Sequence, residues 1–207
     1  MTIENKNKTE YKDYSKSEIS DYQIISFVSL QEFESWQEQN HSTTNGIWLR
    51  IFKKDSGVES ITYDEALDVA LCYGWIDGQL KKYDEKSYIQ KFTPRRPKSM
   101  WSKRNVEKVA LLEKEGKIKP AGWKAIESAK ADGRYETAYD SLAKMVVPED
   151  FILEIIKNKK AHDFFKTLNK INLYTIGWRL QTAKDPATRL KRIIAIIEKL
   201  EKDEKFH

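Results

Sequence analysis

An α+β fold, with a small mixed β-sheet and two helices in the N-terminal half and a helical C-terminal half, follows from three features of this 207-residue chain. Period-two apolar alternation is confined to residues before Pro94. Helix-period stripes with capping residues run from Ser102 onward, and Pro94 and Pro97 stand between the two patterns. The expected organisation is a polar, disordered leader over 1–22, an α+β domain over 23–100 and a helical region over 101–207 that can close into one unit with 23–100.

Taken in order, Ile24 to Ser29 reads as a strand, and Leu30, Phe33 and Trp36 fall at helical spacing. Gly46 to Phe52 is a second strand, with Ile47, Leu49 and Ile51 alternating against Trp48 and Arg50. Thr62 and Glu65 form a T-x-x-E capping box that opens a helix with Tyr63, Ala66, Leu67, Ala70 and Leu71 inward, and Gly74 stops it. Gln79 to Lys82 and Ser87 to Thr93 read as a hairpin around Tyr83 to Lys86.

Beyond the prolines, Ser102 is the N-cap of a helix carrying Val106, Val109, Ala110 and Leu112, which Gly116 ends. Pro120 starts a helix closed by Asp132 and Gly133, and Pro148 opens one with Phe151, Ile152, Ile155 and Ile156 inward. Ala161, Phe164, Phe165 and Leu168 mark the next. The Asp185-Pro186 pair begins the last, whose stripe is Leu190, Ile193, Ile194, Ile197 and Leu200.

Composition narrows the class. Charged residues make up 33% and apolar residues 40%, and 24 aromatics argue for a folded, well-solvated chain. No apolar run exceeds five residues, far below the ~20 of a membrane-spanning helix, so no integral membrane segment is expected. The first 23 residues lack the apolar core of a secretory signal, and the expected location is the cytoplasm.

Cys72 is the single cysteine, and His41, His162 and His207 are too scattered for a zinc spacing, so no metal site is expected. No P-loop or dinucleotide fingerprint points to a cofactor.

The charge is unevenly placed. The chain has 37 Lys/Arg against 32 Asp/Glu, net +5, yet residues 81–105 alone carry nine basic and two acidic residues, +7, leaving −2 for the rest. Such a concentration points to anions. Within it, Arg95, Arg96, Lys98, Ser99, Trp101, Ser102 and Lys103 form the candidate ligand-binding set: prolines hold the chain extended, two guanidinium forks are adjacent, and a helix N-terminus follows. A solvated basic loop over a core Trp101 is the plainer alternative. Lys184, Arg189 and Arg192 form a second basic cluster at the last helix start, either part of an anion site or a salt-bridged surface.

Asp77, between Gly74 and Gly78, reads either as a turn residue or as a general acid or base in a cleft. Trp48, Trp75, Trp101 and Trp123 are core residues or stacking platforms for bases.

The string Tyr63-Asp64-Glu65-Ala66, then Ala70 to Gly78 (ALCYGWIDG), then Phe92-Thr93-Pro94-Arg95-Arg96 and Ser99-Met100-Trp101-Ser102, resembles the bacterial YdeI/OmpD-associated family, also labelled bacteriocin-protection proteins. A second, sparser pattern of Pro148, Ala161, Phe164-Phe165, Ala183-Lys184 and Thr188-Arg189 extends it toward Leu200. The resemblance implies a role in resistance to bacteriocins or antimicrobial peptides, a link to an outer-membrane porin, and no established catalytic activity.

The expected function is therefore non-catalytic binding of an anionic ligand, either a phosphorylated metabolite or nucleic acid. Two alternatives stand beside it: an enzyme with Asp77 as acid/base and Arg95 and Arg96 orienting an anionic substrate, and an adaptor for an acidic protein partner.

Overall fold

The computed structural model describes residues 22–207. The expected leader, 1–22, lies outside the described residues except for Tyr22, whose ring centroid is 4.0 Å from Lys91 Nζ. The chain divides into two compact units. One runs to Ala70 and includes Trp75–Pro94; the other comprises Leu71–Gly74 and Arg95–His207.

The first unit is built on a four-stranded sheet in the order β1-β2-β4-β3, from β1 (Ile24–Ile25), β2 (Ile47–Phe52), β3 (Trp75–Lys82) and β4 (Ser87–Pro94). β1 lies parallel to β2, while β2 and β3 flank β4 antiparallel, so the sheet is mixed. The first strand is only two residues long because Ser29 is already the N-cap of α1 (Leu30–Asn40), accepting from Glu32 N–H at 3.3 Å. Glu32 in turn accepts from Val28 N–H at 2.9 Å, a local bond that competes with strand extension.

The register Ile47↔Phe92, Leu49↔Gln90 and Ile51↔Tyr88 sets these residues on one face, and Ile47, Leu49, Ile51 and Phe92 are buried there. Trp48, on the alternate face, is also buried at 1% exposure, with Lys81 and Lys91 ammonium groups 5.3 and 5.8 Å from its ring. Lysine stems covering an indole while their heads reach water account for a fully buried residue on the polar side of the alternation.

The Thr62–Glu65 capping box forms as expected: Glu65 Oε2 accepts from Thr62 N–H at 2.8 Å, and Glu65 N–H donates to Thr62 Oγ1 at 3.3 Å, opening α2 (Tyr63–Cys72). Accepting those bonds holds the Glu65 carboxyl below its ordinary pKa. β3 starts four residues earlier than the hairpin pattern suggested and takes in Trp75 to Gly78. A bulge between Asp77 and Leu80 disturbs the ladder, and buried Gln90 donates to the carbonyls of Gly78 (2.8 Å) and Gln79 (3.3 Å) there.

The second unit is helical: α3 (Lys103–Lys114), α4 (Pro120–Ala131), α5 (Glu149–Ile155), α6 (Lys159–Phe165), α7 (Lys170–Gln181) and α8 (Pro186–Glu201). Ser102 caps α3, accepting from Asn105 N–H at 3.2 Å, and Asp185 caps α8, accepting from Thr188 N–H at 2.7 Å. Phe151, Ile155, Ala161, Leu168, Ile176, Leu180, Ile193, Ile196 and Leu200 make one core from α5 to α8.

Two expected inward residues of α8, Leu190 and Ile194, are instead exposed at 55% and 48%, and Ile196 takes the inner position. With five apolar residues in a row, the run alone does not fix the helix rotation; the bonds of Arg189 and Arg192 described below bring α8 against α7 and do so.

Leu71–Gly74 join this unit through a backbone crossing. Gly74 has φ +72°, and a Cβ there would lie 2.6 Å from the carbonyl oxygen of Ala121, while one on Gly122 would collide with the Cys72 carbonyl. Lys119 N–H donates to that same Cys72 carbonyl at 3.0 Å. Two glycines are therefore required where the end of α2 passes the first turn of α4.

Candidate functional site

The basic segment begins where the chain leaves β4. Arg95 N–H donates to Gly74 O at 3.0 Å, and Ser99 N–H to Arg96 O at 2.9 Å, closing a turn with Pro97 and Lys98 at its centre. The two arginines take opposite roles. Arg95 turns inward: its guanidinium carbon lies 3.6 Å from the Trp101 ring centroid, and Nη1 donates to Met100 O at 3.2 Å. Arg96 and Lys98 are exposed.

Trp101 is 1% exposed, covered by Arg95 and met edge-on by Tyr135 at 5.3 Å, so it braces the segment and offers no face for stacking a base. A planar cation beside a buried indole stacks on it, and this preference separates two adjacent residues of one type.

The α3 N-terminus is already occupied by the chain itself. Ser102 Oγ takes Asn105 N–H, and Lys103 N–H donates to Tyr139 O at 2.8 Å, where Ser102 and Tyr139 pair as a short bridge. Lys103 Nζ is 2.8 Å from Asp140, and that bond, with one from Gln181 Nε2 at 2.9 Å, holds the Asp140 carboxyl below its ordinary range. Ser99 contributes its backbone, whose carbonyl accepts from Arg134 Nη1 at 2.7 Å. What the segment carries on its exposed side is a row of cations, Arg96, Lys98, Arg104 and Lys103, the last of them paired with Asp140, on a backbone fastened from behind.

Lys184, Arg189 and Arg192 resolve differently. Arg189 makes a bidentate pair with Asp150, both bonds 2.7 Å, and Nη1 donates to Leu180 O at 2.6 Å. Arg192 Nη1 donates to Arg179 O and, at 3.1 Å, to Thr182 Oγ1. Leu180 and Arg179 are in the last turn of α7, where unpaired carbonyls and the negative dipole end attract cations. Both arginines cap a helix; Lys184 is exposed.

Asp77 is in β3 opposite Phe92, not on a turn, and Gly78 has no left-handed φ. It is half-buried, and its Oδ2 accepts from Tyr63 O–H at 2.8 Å. The carboxylate therefore ties the first residue of α2 to the sheet. Cys72 is buried at the end of α2.

No group of three or more His, Cys, Asp or Glu able to hold a metal occurs among the described residues, and no helix there is long and apolar enough to cross a membrane.

Residues 144–203 match the family described as Bacteriocin-protection, YdeI or OmpD-Associated. This segment is similar to the YdeI/OmpD-associated family. Residues 25–125 match a domain of unknown function, DUF8412. No curated protein and no solved structure matches the chain. The denser motifs, from Tyr63 to Ser102, thus fall in the DUF8412 span, whereas the sparser pattern from Pro148 to Arg189 falls in the YdeI/OmpD-associated one.

The segment matched by the YdeI/OmpD-associated family holds α5 to α8 and, with them, the Arg189–Asp150 and Arg192 caps. Residues that sequence reasoning passed over lie mostly outside it. Arg134, which braces Ser99 and pairs with Asp132 at 2.7 Å, is 35 residues from its carbonyl partner, and no local pattern joins them. Arg50 lies 4.4 and 4.7 Å from the Phe52 and Tyr83 rings and bonds Asp84 at 2.6 Å and Ser87 at 2.9 Å. The alternation in β2 placed it on the Trp48 face but gave it no partner.

Proposed function

We propose that this protein binds a polyanion, a single-stranded nucleic acid in the first instance, without catalysis, along the exposed cations of residues 96–104. The observation that carries the reading is the bracing of that segment by Arg95 on Trp101 and by Arg134 on Ser99 O. A backbone fixed in this way holds Arg96, Lys98, Lys103 and Arg104 in place, so little chain entropy is lost when phosphates arrive. A row of surface cations suits a chain of phosphates better than one small phosphorylated metabolite, which needs donors converging on a pocket.

The bacteriocin-protection description of the family supplies a setting for such binding in a stress or resistance response, and the reading assumes a cytoplasmic protein. Fluorescence anisotropy with a labelled oligothymidylate tests it. Neutralising about four phosphates of a single strand gives log K against log salt a slope of roughly −3, and removing two of the cations brings it to roughly −1.5. No binding to the oligonucleotide at low salt would return the basic segment to a solvated surface.

A further inference from the structure

The first unit contains a cavity of about 710 Å³ between the end of β2 and the loop that leads into α2. Its volume falls within the ~300–1,000 Å³ of small-molecule sites. The loop is fastened along its length. Phe52 N–H donates to Ser60 Oγ at 3.0 Å, Lys53 Nζ to Glu85 O at 2.7 Å, and Ile61 N–H to Phe27 O at 3.1 Å. The Thr62–Glu65 capping box holds its far end.

The lining has two chemistries. Ile51, Phe52, Val58 and Ile61 supply an apolar wall, and Val58 is 45% exposed, an apolar side chain that the fold leaves uncovered. Tyr63, Tyr88 and Lys54 supply polar groups. Tyr63 O–H is committed to Asp77. Tyr88 O–H and Lys54 Nζ have no hydrogen-bond or ion-pair partner among the described residues. Burial, with the charge of Asp64 second, pushes the Tyr88 phenol up, so it stays a proton donor throughout the neutral range. Among the charged groups, Lys53 and Lys54 stand against Glu59 of the lining and Asp64, whose charge reaches Tyr88, and Lys54 is the cation left to meet a ligand.

We propose that this cavity binds a small amphipathic carboxylate. Its hydrocarbon body lies against Ile51, Phe52, Val58 and Ile61, and its carboxylate takes a hydrogen bond from Tyr88 and the charge of Lys54. The site is independent of the basic segment and requires no covalent step.

The test uses the full chain with hexanoate, octanoate and decanoate as probes, followed by methyl and amide NMR and by calorimetry. Octanoate should shift the resonances of Ile51, Val58 and Ile61, and affinity should rise about fourfold per buried methylene along the series. Octanol, with the same chain and no charge, should bind at least tenfold more weakly. Tyr88→Phe should weaken octanoate about tenfold and Lys54→Gln about threefold, while Arg96→Ala leaves it unchanged. Lys54 is exposed, so its variant reads the site whether or not Tyr88→Phe folds. Shifts mapping elsewhere, no shifts at millimolar octanoate, or equal binding of octanol and octanoate would overturn the proposal.

Discussion

The two basic clusters, residues 95–104 and 184–192, look alike in sequence, with arginines beside a proline at the start of a helix, yet they do different things. In the second, Arg189 and Arg192 are consumed by the last-turn carbonyls of α7 and by Asp150. In the first, Arg95 is consumed by Trp101 and Met100 O and Lys103 pairs with Asp140, whereas Arg96 and Lys98 remain exposed. The difference teaches that a guanidinium with several donors bonds its own chain first wherever a helix C-terminus or an indole is near. Arginine density marks an anion site only after those internal acceptors have been counted.

The comparison predicts its largest effect at Arg189. Arg189→Ala removes the bidentate pair with Asp150 and the bond to Leu180 O, for a loss of about 2 kcal/mol after allowing for a half-exposed partner. A chain of this size should lose about 4–8 °C in Tm. The pH dependence follows from Asp150, whose carboxyl the Arg189 bonds hold below its ordinary range. A lowered carboxyl pKa gives stability that is fully present above the unfolded value of about 4 and is lost as pH falls through the folded value. The Tm gap between wild type and Arg189→Ala should therefore be steady from about pH 5 to 8 and narrow below about pH 4, followed by circular dichroism. A gap that widens on acidification would contradict the role given to Asp150.

Arg95 comes next. Arg95→Ala gives up the stacking on Trp101 and one bond to a carbonyl, for about 1–2 kcal/mol. Arg95→Lys should recover only part of that, because an ammonium cannot lie flat on the indole. If lysine restored the whole of it, charge and not planar stacking would be what distinguishes Arg95 from Arg96.

Arg96 and Lys98 sharpen the contrast from the other side. Arg96→Ala/Lys98→Ala should change stability by no more than about 0.5 kcal/mol while halving the salt slope of oligonucleotide binding. Arg189→Ala should leave that slope alone. If Arg189→Ala weakened binding as much as the double variant, the division between consumed and presented arginines would fail.

How far the sequence foretold these roles depends on how local each cause is. Both capping residues that open α2 and α3, Thr62 and Ser102, were legible because a cap acts within three residues. Gly74 was legible as a stop, but its close approach to Ala121 was not, since that partner is 47 positions away. Helix α7 has no apolar period to announce it, because its buried face is Asn172, Ile176, Gly177 and Leu180, only two of them large and apolar.

Asn172 is buried to accept from Phe206 N–H at 2.8 Å, and Gly177 has no side chain because Met145 lies where a Cβ would be, 2.7 Å away. Neither reason is written in a hydrophobic period. The site shows the same limit: the segment 95–104 stands out by charge alone, but which arginine faces inward depends on Trp101 being covered, and part of that cover is Tyr135, further along the chain.

The smallest effect is expected at Asp77, the acidic counterpart of an arginine consumed by its own chain. Its Oδ2 accepts from Tyr63 O–H at 2.8 Å across the sheet-to-helix junction. Asp77→Asn keeps an oxygen acceptor of the same reach, and the phenol continues to donate to it. What changes is the charge on the acceptor, which makes a hydrogen bond roughly twice as strong as a neutral one. At a half-exposed position the loss should be about 0.5 kcal/mol, about 1–2 °C in Tm. Tyr63→Phe, which removes the bond outright, should cost at least as much, and the double variant should cost little more than Tyr63→Phe alone, because both changes act on the same bond. A loss above about 2 kcal/mol in Asp77→Asn, with Tyr63→Phe near neutral, would show that the carboxylate serves a partner other than Tyr63, and Asp77 would then belong with the presented groups.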